Sequence, residues 1–211
     1  MLCNIRSLNN KVNEFYAEIS SKSYDIIALC ETWLNDSTPN SLLDCNDNYT
    51  IIRKDRDTRG GGVCFFISKS FTTNVSQVII PDLYKSLEVV AIDVSFGRMK
   101  TRLILLYRPP GNSYDIVLNE LLVSALDYLS SSSCQRHVIL GDFNLPTIDW
   151  PNCYFPSNQP YSCLCEYIFN SGYHQVVNSP TREQNILDLV LVSDLFIVSS
   201  VTVLPPISSR K

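Results

Sequence analysis

No stretch of this 211-residue chain approaches the roughly 18 consecutive apolar residues of a membrane span, and mean hydropathy is only +0.03, so the chain reads as soluble. The opening Met1-Leu2-Cys3-Asn4 lacks the basic segment and apolar core of a secretory signal. Cysteine is present without the patterns that make frameworks: eight residues are about 4% of the chain, against the roughly 8 to 10% of a disulfide scaffold. None are spaced C-x-x-C, and Cys163 and Cys165 are separated by one residue, which speaks against structural zinc. Several lie inside apolar runs, where cysteine behaves as a small core residue. The expectation is a reducing intracellular compartment, nuclear or cytoplasmic, rather than secretion. An excess of positive charge is also lacking. The net charge is −4 and the pI about 5.1, so the chain does not coat nucleic acid by bulk attraction. An enzyme acting on nucleic acid stays open, because it needs only a local basic rim beside an acidic metal pocket.

With 45% hydrophobic and 18% charged residues, the composition is far from that of a disordered chain. The length suits one large domain or at most two small ones. Short apolar runs rich in β-branched and aromatic residues predict strands over 25–30, 62–67, 75–80, 87–94, 101–107, 137–140, 187–192 and 197–204. Helical spacing appears over 11–21, 114–131 and 161–171. In the second, Val117, Leu121, Leu122, Ala125, Leu126 and Leu129 form one i, i+3, i+4 stripe predicted to face the core. No segment has the length or composition of a linker, 130–133 reads as a loop after a helix, and there is no internal repeat. Helices sit between groups of strands instead of alternating with them. A two-sheet sandwich with flanking helices therefore fits better than a doubly wound sheet.

The sharpest local feature is Val138-Ile139-Leu140-Gly141-Asp142-Phe143-Asn144. An apolar strand runs into a glycine and then presents a carboxylate and a carboxamide two residues apart, on one side of the strand end. Either a metal-assisted phosphoryl site or a polar turn accounts for it. Glu31 ends another apolar strand in Leu29-Cys30-Glu31-Thr32-Trp33; it is a hard-oxygen ligand of the kind Mg²⁺ takes, or a surface residue at a strand end. Asp188 lies among Ile186, Leu187, Leu189, Val190 and Leu191, where a carboxylate needs a partner unless it faces an exposed edge. Asn4 and Tyr107, at the start of the chain and the end of a strand, have ordinary structural explanations as a cap and a sheet-rim aromatic. Gly60-Gly61-Gly62 is not a phosphate loop, because no Lys-Ser/Thr follows and 63–67 reads as a strand; it is a turn. The neighbouring Arg53, Lys54, Arg56 and Arg59 are either solvated surface or phosphate contacts.

Taken in order, these segments resemble the endonuclease/exonuclease/phosphatase superfamily, the DNase I-like fold, and within it the apurinic-type endonuclease domain of non-LTR retrotransposons. The resemblance is carried by Asn4-Ile5-Arg6-Ser7-Leu8, Leu29-Cys30-Glu31-Thr32-Trp33-Leu34, Arg59-Gly60-Gly61-Gly62-Val63, Tyr107-Arg108-Pro109-Pro110, Gly141-Asp142-Phe143-Asn144, and Pro180-Thr181-Arg182 through Ile186-Leu187-Asp188-Leu189. The Glu-Thr-Trp and Arg-Pro-Pro variants point to the retroelement branch. The resemblance implies a four-layered α/β sandwich, two mostly antiparallel sheets flanked by helices, with strand-end loops building one acidic pocket. It implies Asn4 and Glu31 at a Mg²⁺, for which Mn²⁺ can substitute, and Tyr107 at the scissile phosphate. Asp142 would orient or deprotonate the attacking water, Asn144 would help hold phosphate and Asp142, and Asp188 would bond a catalytic histidine. Thr181 matches a polar residue near bound DNA, and Arg6, Arg59, Arg108 and Arg182 complete the substrate-contacting set. The implied partners are DNA and, in a full-length element, a reverse transcriptase; a membrane is not among them.

The family's last motif is Ser-Asp-His, and the sequence runs through Leu204-Pro205-Pro206-Ile207-Ser208-Ser209 to Arg210-Lys211 without that histidine. His137 cannot replace it, since five strand residues at about 3.3 Å each put it roughly 16 Å from Asp142, and nothing in the sequence brings His174 to Asp188. The expectation is one domain over 1–211 with incomplete first and last strands, impaired because a positioned acid or base contributes about 10² to 10⁴ in rate. Open strand edges predict marginal stability or self-association. Two alternatives compete with a nicking endonuclease: a phosphatase of the same fold acting on a small phosphate ester or lipid headgroup, and a non-catalytic nucleic-acid-binding remnant.

Overall fold

A computed structural model describes residues 1–44, 47–70, 74–111, 115–131 and 134–207. The first sheet has the order β1 (Leu2–Asn4), β2 (Ile26–Cys30), β4 (Val63–Ser68), β3 (Tyr49–Lys54). The second has the order β5 (Val75–Gln77), β6 (Glu88–Phe96), β7 (Met99–Tyr107), β8 (Arg136–Asp142), β10 (Asp188–Val192), β9 (His174–Gln175). Each sheet has one parallel pair, β1 with β2 and β7 with β8, and is otherwise antiparallel.

Layering follows from which faces are apolar. The run Val63-Cys64-Phe65-Phe66-Ile67 is wholly buried because β4 is covered on both sides. Cys64 and Phe66 face α1 (Val12–Ser21), where the Phe15 and Phe66 rings lie 5.1 Å apart. Val63, Phe65 and Ile67 face the second sheet, meeting Val90, Ile92, Val94 and Leu105. On the far side of that sheet, Ala91, Ile104, Leu106, Ile139 and Leu189 carry α3 (Ile116–Ser130) and α4 (Ser162–Asn170). Helix, sheet, sheet and helices make four layers, the expected sandwich, and Cys30, Cys64 and Cys165 are core residues within it. Among the described residues no helix is long and apolar enough to cross a membrane.

Three expectations need correcting. Residues 197–204 form no strand: a short 3₁₀ turn spans Leu195–Ile197, and Val201, Val203 and Leu204 beyond it are exposed. A β-branched pattern becomes a strand only with a neighbour to bond, and no described strand borders this one. The run 75–80 is a strand only over Val75–Gln77. On α3 the buried face runs through Asn119, Leu122, Ala125, Leu126 and Leu129, while Val117 is 67% exposed. The expected helix start at Tyr114, the loop residues Ser132 and Ser133, and 208–211 lie outside the described residues. The short first strand implied by the resemblance is β1, ending at Asn4, whereas β3, β9 and the single helical turn α2 (Asn40–Leu43) were not anticipated.

Candidate active site

One rim of the sandwich collects the ends of strands from both sheets. In the first, Asn4 at the end of β1 pairs with Cys30, placing Glu31 one residue further on. In the second, Tyr107 of β7 lies beside Asp142 of β8, and Asp142 lies directly opposite Asp188 of β10. The backbone around these positions is under constraint. Gly141 has φ +148°, and a Cβ there would run into the Leu106 carbonyl, so only glycine lets β8 pass β7 just before Asp142. Arg6, Ser7, Glu31, Trp33 and Asn144, none of them glycine, have φ of 47°, 79°, 53°, 54° and 48°. Left-handed backbone at such residues costs energy and tends to gather at functional sites.

The polar side chains are cross-linked. The Asn4 amide nitrogen donates to Glu31 Oε1 at 2.7 Å and to Asp142 Oδ2 at 2.6 Å, joining carboxylates from the two sheets. Its carbonyl oxygen accepts from the Arg6 amide at 3.2 Å. The Asn144 amide donates to Asp142 Oδ1 at 3.1 Å, and an Arg182 guanidinium nitrogen reaches Asp142 Oδ2 at 3.3 Å. Thr181 Oγ1 accepts from the amides of Leu187 and Asp188, at 3.0 and 3.1 Å, and so pins the loop carrying Arg182 to the start of β10. Asp188 Oδ1 is buried with no hydrogen-bond partner among the described residues.

Crowding of acids in a dry place has the expected electrostatic result. Burial, then the charge of Asp188, pushes the Asp142 carboxyl up to about 6, against the pull of Asn4, Arg182 and the Asn144 amide. Burial also raises Asp188, opposed by Thr181 and Arg182. Tyr107, 5% exposed, is raised by burial and by the neighbouring Glu31 and Asp142 charges, and stays a protonated phenol. Glu31 and Asp142, joined through Asn4 and relieved by one partly exposed guanidinium, suit a hard divalent cation, which takes one or two protein carboxylates and keeps its waters. Among the described residues no group of three or more His, Cys, Asp or Glu is placed to hold a metal ion. The donor chemistry at this rim is oxygen from Glu31 and Asp142; Asn4 turns its amide nitrogen to these carboxylates and its carbonyl oxygen to the Arg6 amide.

The structure brings together Asn4, Glu31, Tyr107, Asp142, Asn144, Thr181, Arg182 and Asp188. Arg6 and Arg59 are exposed, Arg59 lying over the Trp33 ring at 5.9 Å. Arg108 is the correction. It is 1% exposed and turned inward, donating to Asn119 Oδ1 at 2.8 Å and to the Asn144 carbonyl at 3.1 Å, with its guanidinium 4.8 Å from the Tyr161 ring centre. It braces the Asp142–Asn144 turn from beneath and does not face a substrate. The polar Asn119 within the apolar stripe of α3 was the sequence signal for such a buried partner. Also missed was Glu88, the first residue of β6, which is buried, accepts from the Gly62 amide and pairs with Arg56 at 2.5 Å. His137 lies near the opposite end of β8 from Asp142, and His174 pairs with Val192, at the far end of β10 from Asp188.

The sequence matches the Endonuclease/Exonuclease/phosphatase family over residues 1–210, and the chain belongs to that family. Solved structures with the same fold include the 3′ phosphatase NExo from Neisseria bound to product DNA hairpin, at 18% identity and TM-score 0.65, over 91% of this chain and 85% of that one. The AP endonuclease LMAP from Leishmania major is similar at 15% identity and TM-score 0.66, over 91% and 78%. So is the endonuclease domain of TRAS1, a telomere-specific non-LTR retrotransposon, at 13% identity and TM-score 0.65, over 92% and 84%. These likenesses place the chain in the DNase I-like fold. No curated protein matches the sequence.

Proposed function

We propose that this chain is a Mg²⁺-dependent DNA-nicking endonuclease domain of the retrotransposon type. The observation that carries the reading is the Asn4 bridge, which ties Glu31 of one sheet to Asp142 of the other while burial and then the charge of Asp188 raise the Asp142 carboxyl to about 6. A group with that affinity for a proton is mostly carboxylate at neutral pH yet basic enough to take a proton from water. Asp142 accepts the proton as the water oxygen bonds to phosphorus, the P–O3′ bond breaks, and the departing O3′ takes a proton from solvent, leaving a 3′-hydroxyl and a 5′-phosphate. Tyr107 donates from its phenol to a phosphate oxygen, and Arg182, Arg6 and Arg59 hold the strand. Glu31, with Asn4, would hold a Mg²⁺, which when bound supplies positive charge to the phosphate oxygens of the transition state. What supports the retroelement branch, and with it a reverse transcriptase as the companion domain, is the pair of variants Glu31-Thr32-Trp33 and Arg108-Pro109-Pro110. Asp188 Oδ1 lacks a partner among the described residues, and neither His137 nor His174 is placed to supply one.

The test is nicking of supercoiled plasmid with and without Mg²⁺, beside phosphate release from an inositol phosphate, for this chain and for a version extended by a Ser-Asp-His segment. Nicking that is stronger in the extended protein and abolished by Asp142→Ala is expected. Inositol-phosphate hydrolysis without nicking would favour the phosphatase reading. DNA binding with no cleavage by either version would favour the non-catalytic one.

A further inference from the structure

Glu31 is the first residue beyond β2, and the two residues after it are held by the glycine turn that leads into β4. The amides of Thr32 and Trp33 donate to the carbonyls of Gly62 and Gly61, at 3.3 and 2.9 Å. On the other side, the carbonyls of Glu31 and Thr32 accept from Ser7 and Leu8, each at 2.8 Å. The Glu31 loop is thus suspended between the Asn4 segment and the triple glycine. The glycines are in turn fixed from across the sandwich. The Glu88 side chain, 8% exposed, accepts from the Gly62 amide and pairs with Arg56. Gly61 and Gly62 have φ of +67° and +86°, and a Cβ on Gly61 would strike the Glu88 carboxylate. Glu88 itself lies beside Tyr107 in the ladder of the second sheet. Its carboxylate therefore spans the gap whose two walls carry Glu31 and the Tyr107–Asp142 pair.

We propose that Glu88 is a positioning residue: by latching the Gly61–Gly62 turn of one sheet to the rim of the other, it fixes Glu31 at the separation from Asp142 that a divalent cation requires. The inference rests on the reading of Glu31 as a cation ligand. It gives the triple glycine a role as the middle link of a strut, and Arg56 a role in aiming the Glu88 carboxylate. Because a latch depends on reach and an electrostatic contribution depends on charge, two near-isosteric variants separate them. Glu88→Gln keeps the length and an oxygen acceptor for the Gly62 amide but loses the charge. Glu88→Asp keeps the charge but falls one methylene short.

The experiment measures Mn²⁺ affinity by titration calorimetry, and hydrogen exchange at the Thr32 and Trp33 amides, in the full chain and both variants. Removing the support of a metal ligand typically costs about 10- to 100-fold in affinity. Glu88→Asp should weaken Mn²⁺ binding by about that factor and speed exchange at both amides, while Glu88→Gln stays close to the parent in both. If Gln is the defective variant and Asp is not, or if neither variant speeds exchange at Thr32 and Trp33, the latch is overturned. If the parent binds no Mn²⁺ while Glu88→Asp still speeds exchange, the latch stands as a strut and the cation reading of Glu31 falls.

Discussion

Asp142 shows most directly what the site costs the fold. An isolated aspartate sits near 3.8, and this one is pushed up to about 6 by burial and by Asp188. The sign follows from linkage. A folded state that holds the proton more tightly than the unfolded chain gains stability below the unfolded value, and loses it as pH rises through the folded one. At neutral pH and without metal, the charged, fully buried Asp142 therefore destabilises the protein by roughly 2 to 3 kcal/mol. Asp142→Asn mimics the neutral form. It should raise the melting temperature in EDTA at pH 7.5, with the gain fading by pH 4. A gain that is the same at both pH values would show that the charge of Asp142 is not the source.

Elements were legible where their signal was local. The runs that became β2, β4, β7, β8 and β10 have central segments dominated by apolar residues, many of them β-branched, and the sequence places each within a residue or two. β3 was hidden because Arg53 and Lys54 end it, and their charge drew the run into a basic surface stretch. β1 and β9, of three and two residues, are too short to show any period. The clearest helix was placed correctly at Leu122, Ala125, Leu126 and Leu129 and missed only in its first turn, where Asn119 is buried because Arg108 and the Asp115 carbonyl give its amide partners, and Val117 is left outside. Urea denaturation tests this phase. Leu126→Ala, in the core cluster beneath the second sheet, should cost about 2 to 5 kcal/mol. Val117→Ala should change stability by no more than about 0.5 kcal/mol. Equal losses at the two positions would mean that the helix is rotated from the orientation described.

Across the whole molecule, the division between what sequence revealed and what it hid follows chain separation. Glu31 and Asp142 were visible as acids at the ends of apolar strands, and Asp188 as an acid inside an apolar run. The Asn4 bridge, the Glu88 latch and the inward turn of Arg108 join segments far apart in sequence, which no local pattern records. The same holds for charge. A chain of net charge −4 cannot attract DNA uniformly, so the proposed function requires binding through local arginines: Arg182, which reaches Asp142, and the exposed Arg6 and Arg59. Each phosphate contact releases counterions and contributes about 0.9 to the slope of log affinity against log salt. With a labelled duplex in EDTA, between about 50 and 200 mM KCl, Arg6→Ala and Arg59→Ala should each reduce that slope by about 1. Arg136 is the matched control, because it begins β8 at the end remote from Asp142 and is paired with Asp194 at 3.0 Å. Arg136→Ala removes the same charge from the molecule and should leave the slope where it was. A slope that falls equally for all three arginines would mean that DNA responds to total charge and not to this rim, and the placement of the substrate would fail.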